Sequence, residues 1–410
     1  MKRQLVSVYM VALALMMAVS VAFAATPKIA TGDSRNINSQ PAVPSTCETL
    51  SAAGTTSSGS DQTSAITSAL SSCAGKGAVV LQSSGSNNAF WAKSFSMSSN
   101  EVLVINSGVY LEASSYSGGQ FIEPSGSNIS IFGPGTIDGR SSSGNRLINA
   151  KNITNFNVVN IHLQNAGKMQ LYVEGGSGFT AWAVTLLTKA NTANTDGIDI
   201  DSLTNATVAD STINSGDDCI AVKTNSAAVS NVTVKSTKCR GGHGLSIGSQ
   251  TFDGVSNILF ENNYAYDTDQ WGNASTDANG INIKTDPSCG GHVDTVEYLN
   301  TCMTGLKHLI IMNTKYGSCS GTSGTPLFTN IVVNGAYSTA SQSGAYYELY
   351  GYNSSNIMTV WLENVSLDAT KDDGSQDANV GLYNSNITPS GTDVTTYSYS
   401  GSGSVPSCSF

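Results

Sequence analysis

Short runs in which apolar and polar residues alternate recur along most of the chain, with turn residues between them. Three of these runs begin at Asn205, Asn231 and Asn257, so the interval between successive asparagines is constant. Alternation over a few residues is typical of β-strands, and a constant period of this size is typical of stacked repeats. We therefore predict a solenoid in which each period forms one rung, so that residues distant in sequence become neighbours on adjacent rungs.

The pattern continues on both sides of these three repeats, and Asn128 and Asn155 are separated by nearly the same interval. Further strands are predicted at 78–81, 102–105, 109–111, 129–132, 156–163, 293–298, 309–312, 331–333 and 358–362. One helix is predicted ahead of them, with Asp61 as its cap, apolar positions at Ala65, Ile66, Ala69, Leu70 and Cys73, and its end at Gly75 and Gly77. Because an end rung exposes unpaired backbone groups, we expect this helix to cover one end of the stack.

The segment 1–24 has the composition of a secretory signal peptide. Lys2 and Arg3 precede an apolar run, and small residues follow it at 22–24. Residues 25–46 are polar and contain three prolines, which predicts a flexible lead-in. Residues 47–410 show one composition throughout and are predicted to form a single all-β domain, because a solenoid grows by adding rungs.

Composition narrows the classes of partner. Charged residues make up only 12% of the chain and the formal net charge is −10, which argues against nucleic acid, since phosphate binding requires basic clusters. Beyond the leader no segment is long and apolar enough to span a bilayer, so we expect no membrane partner, a soluble mature protein and a monomer. A locally positive cleft for a polyanionic substrate remains compatible with the acidic balance.

The chain has eight cysteines, which in an exported protein are expected to form disulfides. Cys47 with Cys73 and Cys219 with Cys239 would each close a local loop, and Cys408 would fix the C-terminal tail, although spacing alone does not determine pairing. No Cys-x-x-Cys pair is present, so metal binding through sulfur is not expected.

Acidic residues and one histidine recur at nearly the period of the repeats. The interval from Asp196 to Asp217 and the interval from Asp218 to His243 are each slightly shorter than one period, so these side chains should share one face of the solenoid. Because carboxylates this close repel one another when all are ionised, at least one should hold a proton near neutral pH. An acid and a base in one site are what hydrolysis of an acetal requires.

Each motif also has a simpler explanation when taken alone. Asp196-Gly197 is a turn dipeptide, Asp217-Asp218 fits a calcium ligand pair or a solvated turn, and the glycines around His243 fit a tight corner. Because all of these motifs recur at the spacing of the rungs, their combination favours a catalytic site.

Residues 267–278 interrupt the period and are expected to form a loop outside the rungs. Trp271 would then lie over the acidic face, where it would either stack on a sugar ring or pack against the protein.

The blocks Asn194-Thr195-Asp196, Gly216-Asp217-Asp218-Cys219, Gly242-His243-Gly244 and Ile283-Lys284-Thr285 resemble the signature motifs of polygalacturonases, which are glycoside hydrolases of family 28. The resemblance covers most of the mature chain. It implies a right-handed parallel β-helix, with residues 47–73 as the N-terminal capping segment, and a cofactor-free inverting hydrolase of pectin. It also implies that Asp217 is the general acid, that Asp196 and Asp218 hold and activate water, and that His243 supports the acid. Asn194, Asn282, Lys284 and Tyr316 are then expected to bind substrate.

One departure from the resemblance bears on the substrate. These enzymes usually have Arg-Ile-Lys where this chain has Asn282-Ile283-Lys284, and asparagine cannot replace a bidentate guanidinium charge. A hydrolase of rhamnogalacturonan or another decorated pectin is therefore an alternative to a polygalacturonase. A non-catalytic carbohydrate-binding β-helix is a further alternative from another class. Sequence leaves endo or exo action open.

Overall fold

The computed structural model describes residues 26–115, 120–141, 145–317 and 324–410. The predicted signal peptide at 1–24 lies outside the described residues. Within these residues there is one α-helix, α1, which spans Thr63–Cys73. The strands are β1 (Thr46–Ser51), β2 (Ala78–Gln82), β3 (Ala89–Lys93), β4 (Phe95–Met97), β5 (Val102–Ile105), β6 (Tyr110–Ser115), β7 (Ile122–Phe132), β8 (Thr136–Asp138), β9 (Ile148–Val159), β10 (His162–Gln164), β11 (Leu171–Trp182), β12 (Thr185–Leu187), β13 (Ile198–Ala209), β14 (Thr212–Asn214), β15 (Ile220–Thr224), β16 (Val229–Lys235), β17 (Lys238–Arg240), β18 (Leu245–Thr251), β19 (Val255–Tyr266), β20 (Asn279–Lys284), β21 (His292–Thr304), β22 (His308–Asn313), β23 (Leu327–Thr339), β24 (Tyr346–Tyr350), β25 (Met358–Ser366), β26 (Lys371–Asp372), β27 (Ala378–Ser385) and β28 (Val394–Ser398).

These strands form three parallel stacks that run along one axis. The first stack, called the cleft sheet below, contains β4, β15, β18, β20, β22, β24, β26 and the N-terminal parts of β7, β9, β11 and β13. Long strands such as β11 and β13 bend and also take part in a second stack, which continues through β16 and β19. The third stack includes β8, β10, β12, β14 and β17. The prediction of a parallel β-helix is confirmed.

The core is a column of aliphatic side chains with one contribution from each rung. On the cleft sheet Leu171, Ile198, Ile220, Leu245 and Ile281 pair in sequence and are fully buried. Side chains before and after each of these residues face the opposite side, because strand residues alternate between two faces. Polar residues next to the column are thereby presented on the outside of the cleft sheet.

Asparagines explain how the chain turns between stacks at a constant period. Asn205, Asn231 and Asn257 have φ values of 58°, 59° and 57°, a left-handed conformation that asparagine tolerates better than most residues. The Nδ2 of Asn231 donates to Asn205 Oδ1 at 3.3 Å, and that of Asn257 donates to Asn231 Oδ1 at 2.8 Å. The predicted period therefore corresponds to a ladder of side-chain amides on adjacent rungs.

The helix covers the N-terminal end of the stack, as predicted. It buries Ile66, Ala69, Leu70 and Cys73. Its N-cap is Gln62 and not Asp61, a shift of one residue. Asp61 still satisfies the first turn, because its Oδ1 accepts a hydrogen bond from the Thr63 backbone N–H at 2.9 Å.

Disulfides fix both ends of the fold and the site region. Cys47 pairs with Cys73, Cys219 with Cys239, and Cys302 with Cys408. The first pair ties α1 to β1, and the third ties the C-terminal tail to β21, as the sequence suggested. Among the described residues no helix is long and apolar enough to cross a membrane.

The lead-in contains no helix or strand between residues 26 and 45, yet polar contacts hold it against the second stack. The Thr31 N–H donates to Asn257 Oδ1 at 2.7 Å, and Thr207 Oγ1 donates to Asp33 Oδ2 at 2.7 Å. Arg35 forms an ion pair with Asp33 at 2.6 Å, and its Nη2 donates to the carbonyl of Phe179 at 2.6 Å. The segment predicted to be flexible is thus tied by polar contacts to β11, β13 and β19.

Candidate active site

The acids lie at equivalent positions on neighbouring rungs. Asp196 and Asp218 each precede by two residues a core isoleucine of the cleft sheet, and those isoleucines, Ile198 and Ile220, are paired. The Gly197 N–H donates to the Asp218 carbonyl at 2.9 Å, which continues the ladder into the turn. His243 precedes Leu245, the next residue of the column, by the same two residues. The structure brings Asp196, Asp217, Asp218 and His243 together on one face.

The three aspartates border a cavity of about 310 Å³ on the outside of the cleft sheet, whereas His243 contacts Asp217 and does not itself line the cavity. Its lining contains both carboxylates and cations, a combination suited to a substrate with hydroxyl and carboxyl groups. The lining residues are Met169, Asn194, Asp196, Asp217, Asp218, Lys223, Gly248, Ser249, Gln250, Lys284 and Tyr316.

Asp217 is hydrogen-bonded as an anion. Its Oδ1 lies 3.0 Å from His243 Nδ1, and its Oδ2 accepts the Asn194 backbone N–H at 3.0 Å. Burial acts to raise the pKa of this carboxyl, but the hydrogen bond and charge of His243 outweigh burial and hold the pKa below its usual value. Asn194 therefore acts on Asp217 through its backbone, while its exposed side chain faces the cavity.

The pKa of His243 is shifted in the opposite direction. Burial acts to lower it, but the hydrogen bond with Asp217 and the charges of Asp217 and Asp218 raise the pKa above that of a free imidazole. The two shifts describe one proton held between His243 and Asp217, so the pair titrates as a unit.

Asp218 is held by a cation and a hydroxyl. Lys284 Nζ lies 2.9 Å from Asp218 Oδ1, and Ser246 Oγ donates to the same oxygen at 2.8 Å. Burial acts to lower the pKa of Lys284, but the charge of Asp218 raises it, so this ammonium stays protonated. Asn282 is 2% exposed, and its Nδ2 donates to Ser246 Oγ at 3.1 Å. Asn282 does not line the cavity and is linked to Asp218 through Ser246, so its predicted contact with substrate stays a prediction.

Asp196 shares a buried cation with a second acid. Lys223 Nζ lies 2.9 Å from Asp196 Oδ2 and 2.5 Å from Asp199 Oδ1. Burial raises the pKa of Asp196, and the Lys223 charge opposes this only partly. Burial raises the pKa of Asp199 further, and its Oδ2 has no hydrogen-bond partner among the described residues. Asp196 and Asp199 therefore both depend on Lys223 for positive charge.

Sequence reasoning did not assign Lys223 or Asp199 to the site. Lys223 follows Asp196 at an interval close to one repeat. Lys223 pairs with Asp201 on the neighbouring rung, so this interval alone does not place the lysine beside Asp196. Asp199 pairs with Ala221 on the next rung, so its row in the sheet, rather than any motif, brings it to Lys223.

Residues 267–278 interrupt the repeat as an insertion and form a loop beside the site, as expected. Ala190 N–H donates to Asp269 Oδ2 at 3.1 Å, and Asn191 Nδ2 donates to the Ala274 carbonyl at 2.8 Å. Near its end Asp277 Oδ1 lies 3.0 Å from His308 Nδ1, and Asp277 Oδ2 lies 3.9 Å from His243 Nε2. His243 therefore has a carboxylate near each ring nitrogen, a feature that sequence reasoning did not find.

Two aromatic residues were predicted near the substrate. Tyr316 lines the cavity, is 47% exposed and has Lys284 Nζ 5.1 Å from its ring centroid. Trp271 lies in the insertion and is 49% exposed, so its ring does not pack fully down. It is not among the residues that line the cavity.

Asp217, Asp218 and His243 also offer one ligand atom each within 4.8 Å of one another, which is close enough for a shared cation. The ammonium of Lys284 already lies on Asp218 and His243 already lies on Asp217. These two groups supply positive charge that a metal ion would otherwise provide.

Comparison with known proteins identifies the family. A sequence profile described as glycosyl hydrolases family 28 matches residues 47–386. An endo-polygalacturonase from Pectobacterium carotovorum subsp. carotovorum is 31% identical over 381 residues, covering 82% of this chain and 90% of that protein. A polygalacturonase from Ralstonia solanacearum is 29% identical over 427 residues, covering 81% and 80%.

A solved structure supports the same assignment. The polygalacturonase from Erwinia carotovora ssp. carotovora superposes with a TM-score of 0.71 and 28% sequence identity, covering 89% of this chain and 100% of that chain. The similarity therefore extends over the stack that carries the acids. The chain belongs to glycosyl hydrolases family 28.

Proposed function

We propose that this chain is a secreted polygalacturonase that hydrolyses α-1,4-galacturonosidic bonds of pectin with inversion. The observation that carries this is the grouping of three aspartates on adjacent rungs, with His243 on Asp217 and Lys284 on Asp218. The relatives that cover most of the chain are polygalacturonases. Secretion is supported by the leader-like sequence at 1–24 and by the disulfides, which persist in oxidising compartments.

Asp217 is the proposed general acid. As hydrolysis begins, the single proton shared with His243 moves to the Asp217 carboxyl and from there to the leaving glycosidic oxygen. His243 is positioned to hold that proton because its pKa is raised. The low pKa of Asp217 in the free enzyme describes the state before transfer, in which the proton lies on the histidine.

Asp196 and Asp218 are the proposed pair that binds and activates water. Each lies 2.9 Å from the ammonium of its own lysine, Lys223 for Asp196 and Lys284 for Asp218. Water between these two carboxylates would lose a proton to one of them while its oxygen attacks the anomeric carbon from the face opposite the leaving group. No metal or organic cofactor takes part in this scheme.

The substrate is proposed to be galacturonan because cationic and hydroxyl groups border the acids. Lys284 and Tyr316 line the same cavity, where a sugar carboxylate would meet an ammonium and a phenol. A decorated pectin is the second candidate. It is favoured by Asn282, which places a buried amide, not a guanidinium, at the position where polygalacturonases usually have arginine.

A test on substrates separates these candidates. Purified mature protein would be assayed for new reducing ends on polygalacturonate, on rhamnogalacturonan and on highly esterified pectin, with proton NMR of the first products. Release from polygalacturonate with the β-anomer formed first supports the proposal. Release from rhamnogalacturonan alone would transfer the assignment to the second candidate, and binding without release from any polymer would indicate a carbohydrate-binding β-helix.

A further inference from the structure

Arg146 occupies the same position as the catalytic aspartates, two rungs towards the N-terminus. Its carbonyl accepts the Phe121 N–H, just as the Met169 carbonyl accepts from Leu147 and the Asp196 carbonyl accepts from Gln170. Arg146, Met169 and Asp196 each precede by two residues a member of the buried column, and those members are paired in register. Strands of a sheet are about 4.8 Å apart, so the Arg146 backbone is about 10 Å from that of Asp196 along the axis.

The guanidinium extends from this position towards the acids. Its central carbon lies 3.4 Å from the ring centroid of Tyr172, a residue of the intervening rung. Tyr172 is itself paired with Asp199, beside the catalytic Asp196. Nη1 of Arg146 donates to Asn149 Oδ1 at 2.8 Å, which fixes the plane of the group. An arginine held by stacking and one hydrogen bond loses little freedom when it binds a ligand.

The remaining donors of Arg146 are available. Among the described residues Nε and Nη2 have no hydrogen-bond partner, and the side chain is half-buried. The acids nearest to Tyr172 are already paired: Glu174 with Lys151 at 3.3 Å, and Asp201 with the Tyr172 hydroxyl and with Asn225. The positive charge of Arg146 is therefore not neutralised by either of these acids.

We propose that Arg146, stacked on Tyr172, is a carboxylate-binding subsite for a uronate residue of the substrate on the side of the acids opposite Lys284. Planar guanidinium groups bind carboxylates through two parallel hydrogen bonds, and the stacked orientation leaves such an edge free. A polysaccharide lying along the cleft sheet would then meet a cation on each side of the scissile bond. This subsite supplies the bidentate contact that Asn282 cannot supply beside Lys284.

The inference rests on the proposed function only for its substrate class, and binding can be measured without turnover. Hexagalacturonate binding would be measured by calorimetry in the Asp217→Asn background, with and without Arg146→Gln. We expect about tenfold weaker binding in the double variant, which corresponds to about 1.4 kcal/mol. Lys238→Gln in the same background is the control, because this exposed lysine lies on the third stack and its loss removes the same charge.

Chain length and esterification give further readouts. In the enzyme with Asp217 intact, Arg146→Gln should raise KM for hexagalacturonate while leaving digalacturonate, which is too short to reach from Lys284 to Arg146, unchanged. On fully methyl-esterified oligomers the difference between wild type and variant should disappear, because the ester carries no charge. Circular dichroism and Tm measurements would confirm that Arg146→Gln folds like the wild type.

The outcomes separate the two ideas. If hexagalacturonate binding depends on Arg146 but no reducing ends appear with any polymer, the proposed hydrolysis fails and the subsite stands. If the wild type hydrolyses polygalacturonate and Arg146→Gln binds and cleaves hexagalacturonate like the wild type, the subsite is wrong. Equal weakening by Arg146→Gln and Lys238→Gln would also overturn it, because it would reflect net charge rather than a site.

Discussion

His243 Nδ1 lies 3.0 Å from Asp217 Oδ1, and this contact places a proton donor on the carboxylate that is the proposed general acid. The pKa of His243 is raised and that of Asp217 is lowered by the same interaction. The pair therefore holds one proton over the pH range between the two values. Activity should require that proton, together with an ionised Asp196 or Asp218.

The pH profile of kcat/KM should be bell-shaped and should change with His243→Gln. In the wild type the alkaline limb reports loss of the shared proton, at a pH above the ordinary histidine value because the pKa of His243 is raised. Without the histidine, Asp217 must hold the proton itself, so the alkaline limb should move to lower pH and the maximal rate should fall. Rates of initial hydrolysis between pH 3 and 9 measure this. The control is His292→Gln, which removes an exposed histidine hydrogen-bonded to Thr329 and should leave both limbs of the profile unchanged. If the alkaline limb does not move in His243→Gln, His243 and Asp217 do not share the catalytic proton.

Lys223 should control the acid limb of the same profile. The pKa of Asp196 is raised by burial, and the Lys223 charge limits that rise. Lys223→Met should therefore move the acid limb to higher pH by about one unit or more. Asp199→Asn should move it to lower pH, because Lys223, which now lies on both acids, would then serve Asp196 alone.

The two substitutions at Lys223 and Asp199 control for each other. Lys223→Met also leaves two buried carboxylates without their cation and should lower Tm, since breaking a buried ion pair costs about 3–5 kcal/mol. Asp199→Asn keeps Lys223 on Asp196 and should retain activity. Shifts of the acid limb in the same direction for both variants would be inconsistent with the proposed control of Asp196.

Stability should depend on pH through Glu297. This residue is 4% exposed, and burial raises the pKa of its carboxyl to about 7 while Ala30 of the lead-in donates a backbone hydrogen bond to it. The unfolded chain ionises this group at its ordinary value of 4.5, so the folded state binds more protons between the two values and stability falls as pH rises across that window. Glu297→Gln removes this penalty, of order 1–3 kcal/mol. Thermal unfolding at pH 5 and pH 8 should show a smaller decrease of Tm for the variant; an equal decrease in both proteins would show that Glu297 is not responsible.

Chelators should leave the hydrolysis unchanged. Lys284 and His243 already place positive charge on Asp218 and Asp217, so a divalent ion is not needed to hold these carboxylates together. Activity on polygalacturonate should be the same in EDTA and in added calcium. Because calcium also binds the polymer, a related enzyme known to need no metal, assayed under both conditions, is the control. Loss of activity in EDTA that calcium restores would assign a metal to this cluster.

Periodicity was enough to predict the fold because the left-handed asparagines and the buried column repeat with the rungs. Asn205, Asn231 and Asn257 mark the turns directly in the sequence. The helix boundary was missed by one residue because Asp61 satisfies the first turn from outside the helix. The contacts of the lead-in were not predicted, since Asp33 reaches the distant Thr207 without any local pattern.

Site residues that belong to short sequence motifs could be predicted. Site residues that only tertiary contacts bring to the site could not. Asp196, Asp217, Asp218 and His243 follow the period and lie together. Lys223 and Asp199 belong to the site because strand pairing in the sheet brings them together. Asp277 belongs to it because the insertion places this carboxylate beside His243. The hydrogen bond from the Asn282 amide to Ser246 is a contact that only the packed structure reveals, and the predicted role of Asn282 in substrate binding stays a prediction.

The proposed role of Asp217 as general acid is tested most directly by the rate of reducing-end release from polygalacturonate by wild type and Asp217→Asn. Loss of a general acid lowers the rate by about 10²–10⁴-fold, so kcat of the variant should fall by that factor while its affinity for the polymer is kept. The carboxamide retains the size of the side chain and can still accept the Asn194 N–H, so folding should be preserved. An Asp217→Asn variant that folds, binds polygalacturonate and cleaves it at the wild-type rate would contradict the account.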